Sequence, residues 1–178
     1  YVPFNDIKAL RNVIDSRTCA VMLEPIQGEG GVNCPSEGYL KSLREICDEA
    51  GLLLIYDEVQ VGMGRTGKLF AYEHDGIEPD MLTLAKSLAG GVPIGALLIK
   101  QGIADSFRPG DHASTFGGNP LATAAGLAAF TTILNEGMLE NCQKMGVHFF
   151  SQLEEIEKKF PFVKEVRGKG LILGMEVK

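Results

Sequence analysis

Three polar residues interrupt apolar runs at the same relative place. Glu24 directly follows Ala20-Val21-Met22-Leu23, Asp57 directly follows Leu52-Leu53-Leu54-Ile55-Tyr56, and Lys86 directly follows Met81-Leu82-Thr83-Leu84-Ala85. Singly, each has a plain explanation. An acid just past a strand is commonly a cap or a solvated loop residue, and a lysine is usually a surface charge. Together they are harder to dismiss, because two carboxylates and an amine gathered at a half-buried edge are costly without a purpose. The chemistry open to them is imine chemistry. A lysine in a cationic, desolvated site loses its proton more readily and can attack an aldehyde. A buried carboxylate can keep a ring nitrogen protonated, so that the ring accepts electrons. Lys86 is the candidate amine and Asp57 the candidate carboxylate.

A coenzyme combining an aldehyde with a pyridine ring also carries a phosphate, which favours backbone N–H groups at a helix start. Ser114-Thr115-Phe116-Gly117-Gly118 lies immediately before a helix expected from Pro120, and it adds two hydroxyls. Pyridoxal 5'-phosphate is therefore the coenzyme these residues suit. Gly62-Met63-Gly64-Arg65-Thr66-Gly67-Lys68 matches the phosphate-loop spacing G-x-x-x-x-G-K, but Leu69 stands where a magnesium-binding Ser or Thr is needed. No capped amphipathic helix follows, so this stretch reads as a glycine-rich connector.

The elements that must position these groups alternate between helices and short apolar runs, the pattern of a mainly parallel sheet flanked by helices. Residues 6–16 read as a short helix and 20–23 as a buried strand. A glycine-rich loop, 27–32, follows. Ser36 is the expected N-cap of a helix with apolar positions Tyr39, Leu40, Leu43, Ile46, Cys47 and Ala50, closed by Gly51. Residues 52–56, 81–85 and 94–99 read as strands covered on both faces. Asn119 and Pro120 open an Ala- and Gly-rich helix to about Leu134. A longer helix then carries the stripe Leu139, Cys142, Gly146, Phe149, Leu153, Ile156 and Phe160, read as core packing. A turn at 167–170 leads into a strand over 171–177. The change of character at Asn135-Glu136-Gly137 divides the chain into 1–135, part of a larger coenzyme-binding domain, and 136–178, the start of a smaller one.

The bulk composition excludes several classes. Seventeen Lys and Arg against 23 Asp and Glu leave a net charge of −6, which argues against a nucleic-acid or anionic-membrane partner. No apolar run approaches the roughly 20 residues that span a bilayer. Cys19, Cys34, Cys47 and Cys142 show no metal-ligand spacing with one another or with His, so no metal site is expected. All four are read as free thiols of a cytoplasmic protein. The opening Tyr1-Val2-Pro3-Phe4 lacks an initiator Met and a signal core, so the chain reads as processed or excerpted.

Lined up in order, these stretches closely resemble the class III pyridoxal-phosphate-dependent aminotransferases. The matching segments are Glu24-Pro25-Ile26-Gln27-Gly28-Glu29-Gly30-Gly31, Asp57-Glu58-Val59-Gln60 with the 62–67 loop, and Ala85-Lys86-Ser87-Leu88-Ala89-Gly90-Gly91. Pro93-Ile94-Gly95-Ala96, residues 112–120 from His112 to Pro120, and Val166-Arg167-Gly168-Lys169-Gly170-Leu171 continue the series. The ordered series is highly specific. Any one motif alone is not.

The resemblance implies a fold-type-I α/β large domain entering a smaller α+β domain, and a homodimer whose site is shared between subunits. By position, Lys86 is the catalytic Schiff-base lysine. Asp57 pairs with the pyridine nitrogen, Gln60 bonds the ring hydroxyl, and Glu58 and Val59 complete the cofactor-binding segment. Thr115 binds the phosphate of the coenzyme held mainly by the other subunit, with Ser114 beside the substrate. Glu29 sits where related ornithine-type enzymes screen a substrate-binding arginine, and Glu24 either supports the coenzyme and substrate or orients its loop. Arg65, Arg167 and the glycines shape turns, and His112 hydrogen-bonds within its loop.

The substrates implied are small amino and oxo acids, nearest to N2-acetyl-L-ornithine with 2-oxoglutarate in arginine biosynthesis. Ornithine, succinylornithine and 4-aminobutyrate are alternative donors. An aminomutase of the same fold and an inactive fragment are the competing classes. Full members are longer and supply further phosphate-, ring- and carboxylate-binding residues from outside these segments. The 178 residues alone are therefore not expected to transaminate.

Overall fold

The computed structural model describes residues 1–178 and contains two sheets. In chain order, helix α1 (Ile7–Val13) precedes strand β1 (Ala20–Leu23), and helix α2 (Tyr39–Ala50) precedes strand β2 (Leu53–Asp57). Strands β3 (Met81–Leu84) and β4 (Ala96–Ile99) lead to the one-turn helix α3 (Gln101–Ala104). Helices α4 (Pro120–Asn135) and α5 (Met138–Lys159) and the hairpin β5 (Val163–Lys169) and β6 (Ile172–Val177) complete the chain. The first sheet has the order β1-β2-β3-β4, with the first three strands parallel and β4 antiparallel at the edge.

Side chains alternate across a strand, and here only one face of the sheet is well covered. Leu54, Tyr56, Leu82 and Leu84 are buried against Leu40, Leu43, Ile46 and Cys47 of α2. The intervening Leu53, Ile55 and Asp57 are half-buried, and Met22 is 58% exposed. The runs expected to be covered on both faces are thus, within these residues, covered on one. Asp80 ties the covered layer together. Its Oδ2 accepts from Arg44 Nη1 at 2.7 Å and from the Leu54 N–H at 2.8 Å.

Several expected boundaries shift. Asp6 caps α1 by accepting from the Ala9 N–H, but the helix ends at Val13. Helix α2 starts at Tyr39 behind Gly38, not behind Ser36. The Ser36 N–H and hydroxyl are instead taken up by Asn5 Oδ1 at 2.8 and 3.2 Å, so it cannot cap the helix. Gly51 closes α2 in the left-handed region as expected, and Asn119 caps α4 through the Ala122 N–H. The stripe on α5 is rotated from its expected position. Cys142 and Gly146 are buried, whereas Phe149, Ile156 and Phe160 are exposed. Residues 167–169 are not a turn but the end of β5, and Lys169-Gly170-Leu171-Ile172 makes the turn.

The 62–68 connector packs beneath α5 without forming a phosphate loop. Gly64 N–H donates to the Leu69 carbonyl at 3.0 Å, and Gln143 Nε2 donates to the Gly67 carbonyl at 2.6 Å. Three backbones meet at this junction. A Cβ on Gly146 would lie 2.5 Å from the Gly170 carbonyl oxygen, and one on Gly170 would lie 2.5 Å from the backbone of Thr66. Gly170 also has φ +58°, a conformation that favours glycine.

Candidate active site

Parallel register brings the predicted residues to one edge. Leu23 pairs with Tyr56 as the last register pair of β1 and β2, so Glu24 leaves the sheet beside Asp57. Asp57 in turn pairs with Thr83. Lys86 lies two residues beyond the end of β3, at the same carboxyl edge where ligands bind in open α/β sheets. Its backbone is left-handed, with φ +45°, and its side chain is exposed. An unbranched non-glycine residue in that region costs about 1–3 kcal/mol and persists only where its surroundings demand it. Residues 86–89 then form a single 3-10 turn that α4 overlies closely, since a Cβ on Gly126 would stand 3.6 Å from the Leu88 carbonyl oxygen.

Asp57 is oriented by its own chain, since Oδ1 accepts from the Val59 N–H at 3.0 Å. Its other carboxylate oxygen makes no hydrogen bond within the protein. Beside it, the Thr83 hydroxyl is buried without a partner. Gln60 is half-buried and lies against Gly28, where an added Cβ would stand 2.5–2.8 Å from the three terminal atoms of the amide. Gly28 is held in turn by Glu24, whose Oε2 accepts its N–H at 2.9 Å. This bond orients the loop, which is one of the two roles open to Glu24 in the sequence.

Glu58 differs from its neighbours. It is 1% exposed, and its carboxylate oxygens accept the N–H groups of Ala71 at 2.6 Å and Tyr72 at 2.9 Å. Burial pushes its acid up to about 7, although both N–H bonds favour the ionised form. The Glu58 side chain therefore anchors the 3-10 turn 71–74, so any part this position has in the cofactor-binding segment falls to its backbone. Alternation along the chain explains this, because residues 57 and 58 must point to opposite sides.

Other predicted residues stay apart from this rim. Ser114 and Thr115 lie in the exposed segment before α4, where Ser114 Oγ accepts from the Gly117 N–H at 3.0 Å. Thr115 makes no hydrogen bond to the rim. His112 makes none within its loop, contrary to expectation. Glu29 is exposed on the 27–33 loop. No group of three or more His, Cys, Asp or Glu is placed to hold a metal ion, and no helix is long and apolar enough to cross a membrane. Sequence reasoning missed Thr83, whose signal was a lone hydroxyl inside an apolar strand. It also missed Gly28 as the backing of Gln60, for which no local signal exists.

The sheet, its carboxyl-edge lysine and the adjacent carboxylate define an α/β transferase domain of the fold-type-I coenzyme-dependent class. The chain belongs to the class-III aminotransferase family, whose model matches residues 3–178. It is 57% identical over 177 residues to the acetylornithine aminotransferase of Caldanaerobacter subterraneus subsp. tengcongensis, covering 99% of this chain and 45% of that protein. It is 52% identical to the acetylornithine aminotransferase of Methanocaldococcus jannaschii, covering 99% of this chain and 44% of that one. Among solved structures, the ornithine aminotransferase of Toxoplasma gondii superposes with a TM-score of 0.95 at 44% identity, over 99% of this chain and 43% of that chain. The acetylornithine aminotransferase of Elizabethkingia anophelis gives 0.93 at 44% identity, over 99% and 45%. The chain thus spans less than half the length of these relatives.

Proposed function

We propose that these residues form the coenzyme-binding part of an aminotransferase and that pyridoxal 5'-phosphate is held through Lys86. The donor set fits that group: a carboxylate with one free oxygen, an amide lying against Gly28 and an orphaned buried hydroxyl lie at the carboxyl edge of the sheet, where the Lys86 amine follows β3. When bound, the coenzyme supplies an aldehyde that takes up amino groups and a ring that delocalises the electrons released at the substrate carbon. The chain supplies the rest. Lys86 Nζ is the group that would hold the coenzyme through its aldehyde, and as a free amine it would move a proton to and from the substrate carbon. Asp57, whose angle the Val59 N–H fixes, has an unbonded carboxylate oxygen that would hold the ring nitrogen protonated. Gln60, backed by Gly28, would donate to the ring hydroxyl. The observation that carries this reading is the left-handed backbone of Lys86 just past the carboxyl end of β3, the strand that pairs with the one ending in Asp57.

The whole protein transfers the amino group of N2-acetyl-L-ornithine to 2-oxoglutarate, giving N-acetyl-L-glutamate 5-semialdehyde and L-glutamate. The support is the identity above 50% to several proteins named as acetylornithine aminotransferases. Ornithine is the second donor reading, favoured by the superposition on ornithine aminotransferases. Glu29 and Ser114 contact the substrate, and Glu24 acts through Gly28.

The enzyme works as a homodimer in which Thr115 serves the partner's phosphate. Its exposed setting supports this, as do Phe116, Leu121 and Leu127, which are 80%, 74% and 69% exposed. The division at residue 135 is supported by the separate hairpin sheet that follows it.

The test uses the full-length enzyme with its coenzyme. Borohydride reduction followed by peptide mapping is expected to fix the coenzyme on Lys86, and a Lys86→Ala enzyme is expected to carry none. A Lys86→Ala enzyme that is still labelled overturns the assignment. Comparing kcat/KM for acetylornithine, ornithine, succinylornithine and 4-aminobutyrate decides the donor.

A further inference from the structure

The loop 27–33 is closed on itself by the Gln27 N–H to the Asn33 carbonyl at 3.0 Å and by Asn33 Nδ2 to Gln27 Oε1 at 2.9 Å. Its tip is held from the far end of the chain. Arg167 Nε and Nη2 both donate to the Gly31 carbonyl, at 3.1 and 2.8 Å, across 136 positions of sequence. The remaining fork of the guanidinium is fixed by β6 and β5, with Nη1 2.6 Å from Glu176 Oε2 and 3.3 Å from Glu165 Oε2. The hairpin also presses on the loop directly, since a Cβ on Gly174 would lie 3.0 Å from the Val32 side chain.

We infer that Arg167 is a positioning residue that clamps the β5-β6 hairpin onto the loop carrying Gly28 and Glu29. Two donors on one carbonyl define both the distance and the direction of the loop tip, which a single point charge cannot do. The loop reaches the rim in two ways. Gly28 backs the Gln60 amide, and Glu29 extends into solvent two residues from the clamped carbonyl. The clamp therefore sets donor recognition through Glu29 and not the covalent holding of the coenzyme by Lys86. This inference rests on the proposed roles of Glu29 and Lys86.

The test measures full-length Arg167→Ala and Arg167→Lys enzymes with coenzyme. Arg167→Ala is expected to raise KM for the amino donor about tenfold, with KM for the oxo-acid and the yield of borohydride-fixed coenzyme unchanged. Amide hydrogen exchange at residues 30–32 is expected to quicken in the same variant. Arg167→Lys keeps the charge opposite Glu165 and Glu176 but not the two-donor grip, so it is expected to recover the stability and not the donor KM. Full recovery of donor KM by lysine, or a donor KM within twofold of the parent in Arg167→Ala, overturns the clamp. Should Arg167→Ala fail to fold, Glu165→Gln with Glu176→Gln loosens the guanidinium instead, and the same two readouts decide. A failure of the site reading itself is distinguishable, because Lys86 would then go unlabelled in the parent enzyme.

Discussion

Asp57 and Thr83 are register partners on parallel strands, and the Thr83 hydroxyl is buried beside the carboxylate with no hydrogen-bond partner. A buried hydroxyl left unpaired costs about 1–3 kcal/mol. Thr83→Val is therefore expected to stabilise the coenzyme-free protein by about 1 kcal/mol while leaving the fold unchanged. Urea unfolding of the coenzyme-free form measures this. A loss of stability refutes the orphaned hydroxyl.

Glu58 gives a pH dependence whose sign is fixed by its raised acid. Folding lifts it from the ordinary 4.5 to about 7, so between those values the folded protein binds more protons than the unfolded chain. Stability from this group is fully present below about 4.5, declines as pH rises, and is lost above 7. The span is on the order of 3 kcal/mol. Glu58→Gln, which cannot ionise, is expected to flatten this part of the stability profile between pH 5 and 7.5. An unchanged slope in the variant counts against the assignment.

Gly28 is a matter of space. Its backbone stands where an alanine methyl group would displace the Gln60 amide, and that amide is the movable partner. Gly28→Ala is expected to fold normally but to weaken coenzyme binding about tenfold, the value of one misplaced hydrogen bond at a partly buried site. Equilibrium dialysis of the coenzyme, with a melting curve as control, checks both halves.

Asp80 joins α2, β2 and the segment just after β4 through Arg44, the Leu54 N–H and Lys100. Burial alone would raise its acid, but the Leu54 N–H and Arg44 outweigh it and hold Asp80 below its usual range. Its contribution is therefore present at neutral pH and lost as pH falls through that lowered value. Asp80→Asn is expected to cost about 2 kcal/mol at pH 7, since it removes charge-assisted bonds from a half-buried network. The difference from the parent is expected to shrink below pH 4, and a constant difference across pH would contradict it.

Much of this was legible because the sheet is parallel. Short apolar runs ending in Glu24, Asp57 and Lys86 announce strands whose carboxyl ends share an edge, and the register bears that out. The start of α2 was misjudged because Ser36 is a good cap in isolation, whereas Asn5, 31 residues away, competes for it. Strand β5 was hidden because Arg167-Gly168-Lys169-Gly170 reads as a turn and the charged Lys164 and Glu165 before it carry no apolar signal. Those charges face solvent or pair with β6, so only Val163 and Val166 report the buried side. The grip of Arg167 on Gly31 and the backing of Gln60 by Gly28 involve no periodicity at all. Such contacts exist only once the chain has closed on itself.

The meeting of Thr66, Gly146 and Gly170 has a bearing on how this molecule can vary. A seam made of bare main chain has no side chain to trim by a methylene, so its tightness cannot be graded by successive small substitutions. Each replacement at 146 or 170 forces the hairpin turn away from the helix or the connector in one step. Gradual adaptation of the hairpin's seat must then proceed through lengthening or shortening the helix that leads into it, a route that alters reach without touching the seam.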